Sequence, residues 1–202
     1  MMVHAAVMSL VMVVSNAADP FEAQKAKATE VENLQKLLEP YAGKCVGSDP
    51  VEEQECANRA KTAQAGFKGK TLYTNLGAGF ERLMEGGEVN GNRALVVLTP
   101  VVDVGAEVAL TFQKPQKLDK DGTIIVNKYP VDGVLLDDTL MSSDVRRLVK
   151  TGQMNVEIVF TIKGPWQLKK KDGELVRGLE VAVTGVRLSN RRSGKAVLSM
   201  VK

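Results

Sequence analysis

Residues 153–188 read QMNVEIVFTIKGPWQLKKKDGELVRGLEVAVTGVRL, and this stretch decides the fold. Apolar side chains occupy every second position from Met154 to Ile162, which predicts a β-strand with one apolar face and one mostly polar face. Gly164-Pro165 is expected to end this strand, and a short strand follows at 166–168. Asp172-Gly173 then predicts a tight hairpin, because glycine readily adopts the positive φ that such a turn needs.

The strand that returns from this hairpin also alternates. Its apolar positions are Leu179, Val181, Val183, Val186 and Leu188. The alternation changes parity at Gly185, which is typical of a β-bulge or a corner. Long strands with one apolar face need a second layer to bury that face, and the other strands of the chain are expected to supply it.

Turn signals recur at short intervals from Gly66 onward, which favours a β-rich segment over 66–202. The candidate strands are 71–76, 94–99, 108–112, 123–126 and 134–136, with a helical turn at 80–84 and a short helix at 144–150. Asp119-Lys120-Asp121-Gly122 lacks the further oxygen ligands of a calcium loop and is interpreted as a hairpin turn. Strands at this spacing predict a mostly antiparallel β-barrel or small β-sandwich.

Two helices are predicted ahead of these strands. Asp19-Pro20 and Asp49-Pro50 each place a capping residue before a proline suited to the first helical position. The first helix should run to about Glu39 and the second to about Ala65. We therefore expect an α+β domain over 18–202, in which a helical hairpin at 18–65 packs on the β-rich part.

Cys45 and Cys56 are the two cysteines of the chain. They lack Cys-x-x-Cys spacing, and no histidine lies near them, so a disulfide is favoured over a metal or redox site. Closing a loop of about a dozen residues is worth roughly 3 kcal/mol in the loop-entropy model. The pair would tie the two predicted helices at their junction.

The N-terminus resembles a secretory signal peptide. Residues 5–14 form an apolar run of about ten residues, and Ser15-Asn16-Ala17 supplies small residues for cleavage after Ala17, or after Ala18. The segment before the run contains His4 but no lysine or arginine. An uncleaved anchor is the alternative, although the run is short for a membrane span. Residues 1–17 are therefore predicted to be removed on export.

Histidine chemistry is excluded from the mature chain, because His4 is the single histidine and lies in the predicted signal. Serine–histidine hydrolysis, histidine-ligated zinc and histidine general bases are excluded with it. Asp132, Asp137, Asp138 and Asp144 could supply a carboxylate pair for a hydrolase or lyase. Turn and helix-capping duties explain these aspartates without any catalytic role and are favoured, so the sequence leans away from an enzyme. No cofactor or metal is predicted.

Positive charge gathers near the C-terminus. The net charge is +3, and residues 145–202 hold 13 Lys and Arg against 4 Asp and Glu. If the candidates met at one end of the sheet, they would attract an anionic polymer or lipid. These candidates are Lys169, Lys170, Lys171, Arg177, Arg187, Arg191, Arg192 and Lys195. Aromatic residues are sparse, so nucleic-acid recognition by base stacking is not favoured.

A series of short motifs resembles a family of exported proteins of unknown function from myxobacteria and their relatives. The motifs are Tyr41–Cys45, Cys56, Gly69–Tyr73, Leu98–Pro100, Ala109–Thr111, Val159–Thr161, Trp166, Lys170–Gly173 and Arg192–Gly194. The resemblance covers most of the mature chain and implies an exported single domain with paired cysteines. The signal, the predicted disulfide and the lack of a catalytic constellation predict a non-enzymatic binding or structural module in the periplasm or on the surface of a Gram-negative cell. The carboxylate enzyme and the binder of anionic polymer or lipid are the alternatives.

Overall fold

The computed structural model describes residues 19–45, 49–85, 94–98, 101–102, 107–125, 133–136 and 143–202. Its helices are α1 (Pro20–Lys25), α2 (Leu34–Leu38), α3 (Pro50–Phe67) and α4 (Ser143–Lys150), with a 3₁₀ turn at Glu39–Tyr41. Its strands are β1 (Thr29–Glu30), β2 (Thr71–Gly77), β3 (Glu81–Glu85), β4 (Ala94–Leu98), β5 (Val101–Val102), β6 (Val108–Thr111), β7 (Lys117–Leu118), β8 (Ile124–Ile125), β9 (Gly133–Leu136), β10 (Met154–Lys169), β11 (Leu175–Asn190) and β12 (Ala196–Val201).

The central hairpin is formed by β10 and β11, which pair antiparallel along their whole length. The turn closes at Gly173, whose φ of 94° requires a residue without a Cβ. The predicted bulge is confirmed, because the register shifts where Thr184 and Gly185 lie opposite β10. The lack of a side chain at Gly185 also lets α1 pack closely on β11, since a Cβ there would lie 2.3 Å from Oε1 of Gln24.

Gly164-Pro165 does not end the strand, contrary to the prediction. The register of β10 shifts by one residue at Lys163, and pairing with β11 then continues to Lys169. The neighbour on the other side, β2, pairs with β10 only as far as Thr161. A proline beyond that point therefore lies where β10 has lost one of its two partners, and such an edge tolerates a residue without an N–H.

Seven strands form the main sheet in the order β1-β2-β10-β11-β6-β5, with β12 also paired to β11. Most pairs are antiparallel, but β1 runs parallel to β2 and β6 runs parallel to β11, so the sheet is mixed. Smaller sheets contain β3-β4-β9 and β7-β8. The described strands do not close into a barrel, and the barrel or sandwich detail is unconfirmed.

The core lies on the face of β10 and β11 that the alternation predicted. Met154, Val156, Ile158 and Phe160 are each fully buried there. They form one cluster with residues of α2, of the 3₁₀ turn, of β4 and of α4. The second layer is therefore built from short helices and a small sheet as well as from strands, which confirms the α+β class.

The predicted first helix is not continuous. Asp19 caps α1 as expected, because its Oδ1 accepts from the N–H of Phe21 at 2.9 Å. The chain then leaves the helix and pairs with β2, where the N–H of Val31 donates to the carbonyl of Tyr73 at 2.7 Å. Asn33 opens α2 by accepting from the N–H of Lys36. The predicted helical hairpin is thus two short helices separated by a strand, followed by α3.

The predicted helical turn at 80–84 is also wrong, because these residues belong to β3. Glu81 pairs with Leu98 and Glu85 pairs with Ala94, so β3 is one half of an antiparallel pair with β4. Five residues are too few for a period to separate helix from strand, and the partner strand decided the outcome. The sequence also predicts a tight turn at Asn90-Gly91 ahead of β4, and these two residues lie outside the described part of the chain.

The disulfide between Cys45 and Cys56 is present, with Cα atoms 5.5 Å apart. It ties α3 to the segment after the 3₁₀ turn. The Nε2 of Gln64 adds a second tie by donating to the carbonyl of Pro40 at 2.6 Å. Helix α3 has no fully buried residue, so these ties carry much of its attachment.

Candidate functional site

Glu157 is a buried carboxylate at the centre of a charged cluster. It is 4% exposed, although it lies on the strand face that alternation marked as polar. Its Oε1 accepts from the hydroxyl of Tyr73 at 2.5 Å and from Nζ of Lys25 at 3.2 Å. Its Oε2 accepts from Nε of Arg187 at 2.6 Å. We call Glu157, Lys25, Tyr73, Arg187 and Glu22 the charge clamp.

Helix α1 covers this face of the sheet, where it lies against β11 and β12. Phe21 of α1 is fully buried and meets the ring of Tyr73 edge-on, with centroids 6.5 Å apart. The guanidinium of Arg187 lies 5.1 Å from the centroid of the Phe21 ring and is also paired with Glu22. The clamp and this small apolar cluster therefore hold α1 on the sheet together.

The electrostatics of the clamp favour the protonated forms of its tyrosine and its lysine. Burial, and the hydrogen bond to Glu157, raise the pKa of Tyr73 above its ordinary value of 10.0. Burial alone would lower the pKa of Lys25, but its interactions with Tyr73 and Glu157 outweigh burial and raise that pKa above 10.5. Both oxygens of Glu157 already accept hydrogen bonds. The carboxylate thus holds the side chains of Tyr73, Lys25 and Arg187 in place.

Trp166 lies buried on the same face and packs on glycine. A Cβ at Gly178, its cross-strand partner, would lie 2.0 Å from Cζ2 of the indole. The indole Nε1 donates to Oγ1 of Thr111 at 2.9 Å, so its polar atom is satisfied inside the protein. Trp166 is therefore a packing residue.

An open groove of about 520 Å³ lies between the β7–β8 hairpin and the β10–β11 hairpin. We call it the lysine groove. The five lysines that line it are Lys117, Lys120, Lys169, Lys170 and Lys171. Three aspartates also line it, namely Asp119, Asp121 and Asp172. The lining therefore carries a net charge of +2.

The eight basic residues singled out in the sequence are distributed over four places. Lys169, Lys170 and Lys171 line the lysine groove. Arg177 lies against the backbone at Gly43, where a Cβ would be 3.0 Å from its Nε. Arg187 belongs to the charge clamp. The other three follow β11 at its far end, roughly 50 Å of strand away from the groove; they are Arg191, Arg192 and Lys195.

Sequence reasoning missed two members of the groove, Lys117 and Lys120. Both lysines flank or lie in the turn at 119–122, which the sequence correctly predicted as a hairpin turn. The sequence could not show that this hairpin lies beside the β10–β11 hairpin, because some fifty residues separate the two along the chain. A Cβ at Gly122 would lie 3.3 Å from Cε of Lys170, which shows how closely the two hairpins approach.

The predicted carboxylate site falls largely outside the described residues. Asp132, Asp137 and Asp138 lie there, and Asp144 is described only as part of the backbone of α4. Within the described ranges, no group of three or more histidine, cysteine, aspartate or glutamate side chains could hold a metal ion. The carboxylate enzyme therefore stays a prediction.

The fold and the two sites define an α+β protein with a mixed sheet, a disulfide-tied helix and an internally paired buried carboxylate. The chain belongs to a family of unknown function (DUF6066), whose model matches residues 1–201. A family of unknown function was expected from the sequence, and this is confirmed, whereas export and a myxobacterial source stay predictions. No curated protein and no solved structure matches the chain.

In the described part of the chain, no helix is both long enough and apolar enough to cross a bilayer.

Proposed function

We propose that the protein is exported to the envelope of a Gram-negative cell and acts there as a non-enzymatic binding or structural module. The observation that carries the proposal is the Cys45–Cys56 disulfide, which uses both cysteines of the chain. Structural disulfides persist in oxidising compartments and are rare in the cytosol. The apolar run at 5–14 supplies the export signal that such a compartment requires.

The non-enzymatic part of the proposal is supported by the charge clamp. A general base needs a free lone pair directed at a substrate, and a nucleophile needs an activating neighbour. Both oxygens of Glu157 are instead occupied by Tyr73, Lys25 and Arg187. This buried charged cluster therefore attaches α1 to the sheet, which supports a structural role for it.

Fractionation of cells that produce the full chain tests the proposal. We expect the protein in the periplasmic or outer-envelope fraction, with both thiols blocked to alkylation. The matched control is Leu10→Arg, which places a charge in the apolar run and leaves the folded domain unchanged. This variant should stay in the cytoplasm with its thiols reduced. Wild-type protein found in the cytoplasm with free thiols would contradict export.

A further inference from the structure

We propose that the lysine groove binds a phosphomonoester or diphosphate group. The inference rests on the proposed function, because it assigns a ligand class to the binding module described above. It uses lysines from both hairpins: Lys117 and Lys120 from β7–β8, and Lys169 and Lys171 from β10–β11.

Charge pairing inside the groove leaves these four lysines available. The ammonium of Lys170 lies 2.7 Å from Oε2 of Glu174, so this lysine is already paired. No ion pair of the described residues involves any of the other four. These four lysines line the groove together with three aspartates, and the net positive charge of the lining makes the groove a favourable place for an anion.

Two of the three aspartates in the groove are used by the turns. Oδ1 of Asp119 accepts from the N–H groups of Asp121 and Thr123, at 2.9 and 2.8 Å. Oδ1 of Asp172 accepts from the N–H of Glu174 at 3.0 Å. These aspartates fix the loops that carry the lysines. They consequently position the positive charges as well as partly offsetting them.

The two hairpins are held at a defined separation. The aliphatic stem of Lys170 packs on Gly122, and its ammonium is fixed by Glu174. A groove of about 520 Å³ falls within the range of small-molecule sites, about 300–1,000 Å³. The groove therefore has room for a diphosphate, or for a phosphomonoester together with part of the molecule that carries it.

Lysine is a common phosphate ligand. Its ammonium is a compact point charge whose attraction grows with the charge of the anion, whereas the planar fork of arginine matches both carboxylate and phosphate. A phosphomonoester carries close to two negative charges at neutral pH on three acceptor oxygens. Among the described residues that line the groove none is aromatic, so these residues offer no surface on which a base or a sugar ring would stack.

Calorimetric titration of the full mature chain with inorganic pyrophosphate tests the proposal. Lys169→Gln with Lys171→Gln should weaken binding about tenfold, and Lys117→Gln with Lys120→Gln should do the same from the opposite hairpin. Arg191→Gln with Arg192→Gln removes the same charge at the far end of β11 and should change the Kd less than about twofold. Circular dichroism of each variant checks that it is folded.

Flotation with vesicles identifies the source of the phosphate group. One set contains phosphatidylcholine with phosphatidic acid, whose headgroup is a phosphomonoester, and the other contains phosphatidylcholine alone. Retention on the first set that is lost in both lysine variants indicates a lipid-borne group. Binding of pyrophosphate without retention on vesicles indicates a soluble ligand. Either result supports the groove.

Two results would overturn the proposal. One is no heat of binding at millimolar pyrophosphate together with no retention on phosphatidic acid. The other is an equal loss in the arginine control, because the effect would then follow from overall charge. Neither result affects the cell fractionation or the thiol state, so failure of the groove is distinguishable from failure of the proposed function.

Discussion

Glu157 is a buried charged residue on the face of β10 that the sequence predicted to be polar. The alternation along β10 correctly placed Glu157 on the polar face of the strand, but that face is covered by α1 at this position and is not exposed to solvent. Helix α1 brings Lys25 and Phe21 over it, and Arg187 and Tyr73 reach it from the neighbouring strands. Removing one member of a buried ion pair is costly because the remaining charges stay buried without compensation.

Glu157→Gln is therefore expected to lower the free energy of unfolding by about 3 kcal/mol. The amide cannot compensate the charges of Lys25 and Arg187. The matched control is Glu180→Gln, which removes the carboxylate of a looser pair, 4.0 Å from the half-exposed Lys163, and should cost less than about 1 kcal/mol. Urea denaturation of the two variants measures both values. Equal losses would mean that the clamp does not stabilise the fold.

Stability should also fall at alkaline pH. The pKa values of Tyr73 and Lys25 are raised by folding, so the folded state binds their protons more tightly than the unfolded state does. Their contribution is complete below about pH 10 and is lost as the pH rises through the folded-state pKa values. Burial raises the pKa of Tyr41 in the same direction. Urea midpoints measured from pH 8 to 11 should therefore decrease above pH 10.

Tyr73→Phe separates the tyrosine from the other groups. Loss of the hydroxyl that donates to Glu157 should cost roughly 1.5 kcal/mol near pH 7. Because phenylalanine does not titrate, the further decrease above pH 10 should be smaller than in the wild type. An unchanged alkaline slope would show that Tyr73 does not contribute to it.

A substitution at Gly178 tests how closely the indole of Trp166 packs on the backbone of β11. A methyl group at this position would lie 2.0 and 2.1 Å from two carbons of the indole ring, so Gly178→Ala must displace the tryptophan. We expect a loss of about 1–3 kcal/mol and a change in tryptophan fluorescence. Gly164→Ala is the control, because a Cβ on this β10 glycine meets no atom within 4 Å. Similar losses in the two variants would contradict the close contact.

Strands and helices were predicted correctly from the sequence where the same hydrophobic pattern continues over many residues. The β10–β11 hairpin, its Asp-Gly turn and its bulge at Gly185 could all be predicted because alternation extends over some thirty residues. The prediction for 20–41 was wrong because the apolar spacing there suits a helix, whereas the N–H of Val31 donates to the carbonyl of Tyr73 and its carbonyl accepts from the hydroxyl of Thr74. Those partners are forty residues away in sequence, so no local pattern contains them.

Helix α3 is expected to depend on its covalent tie. It has no fully buried residue, so Cys45→Ser with Cys56→Ser should release it while the sheet stays folded. Hydrogen exchange should then be faster across 50–67 and unchanged across 154–190. The chemically reduced wild type should behave in the same way. Protection that is lost across both ranges would show that the disulfide stabilises the whole domain.

For the molecule as a whole, the sequence indicated a basic C-terminal segment but did not show that its lysines and arginines are distributed over several separate places on the fold. The topology sends the two turns of β11 to opposite ends, and it uses Arg187 inside the clamp. The groove draws Lys117 and Lys120 from a hairpin that the sequence marked only as a turn. The α+β class and the disulfide could be predicted, whereas the clamp and the groove depend on contacts between distant segments.

We propose that the chain is exported and then oxidised, and intact-mass spectrometry of the protein purified from a Gram-negative host measures both events in one sample. We predict a chain that begins at Ala18 or Asp19 and that takes up alkylating reagent at Cys45 and Cys56 only after reduction. Helix α1 would then begin just after the new N-terminus. A chain that retains residues 1–17 and is alkylated at both cysteines without reduction would contradict the claim.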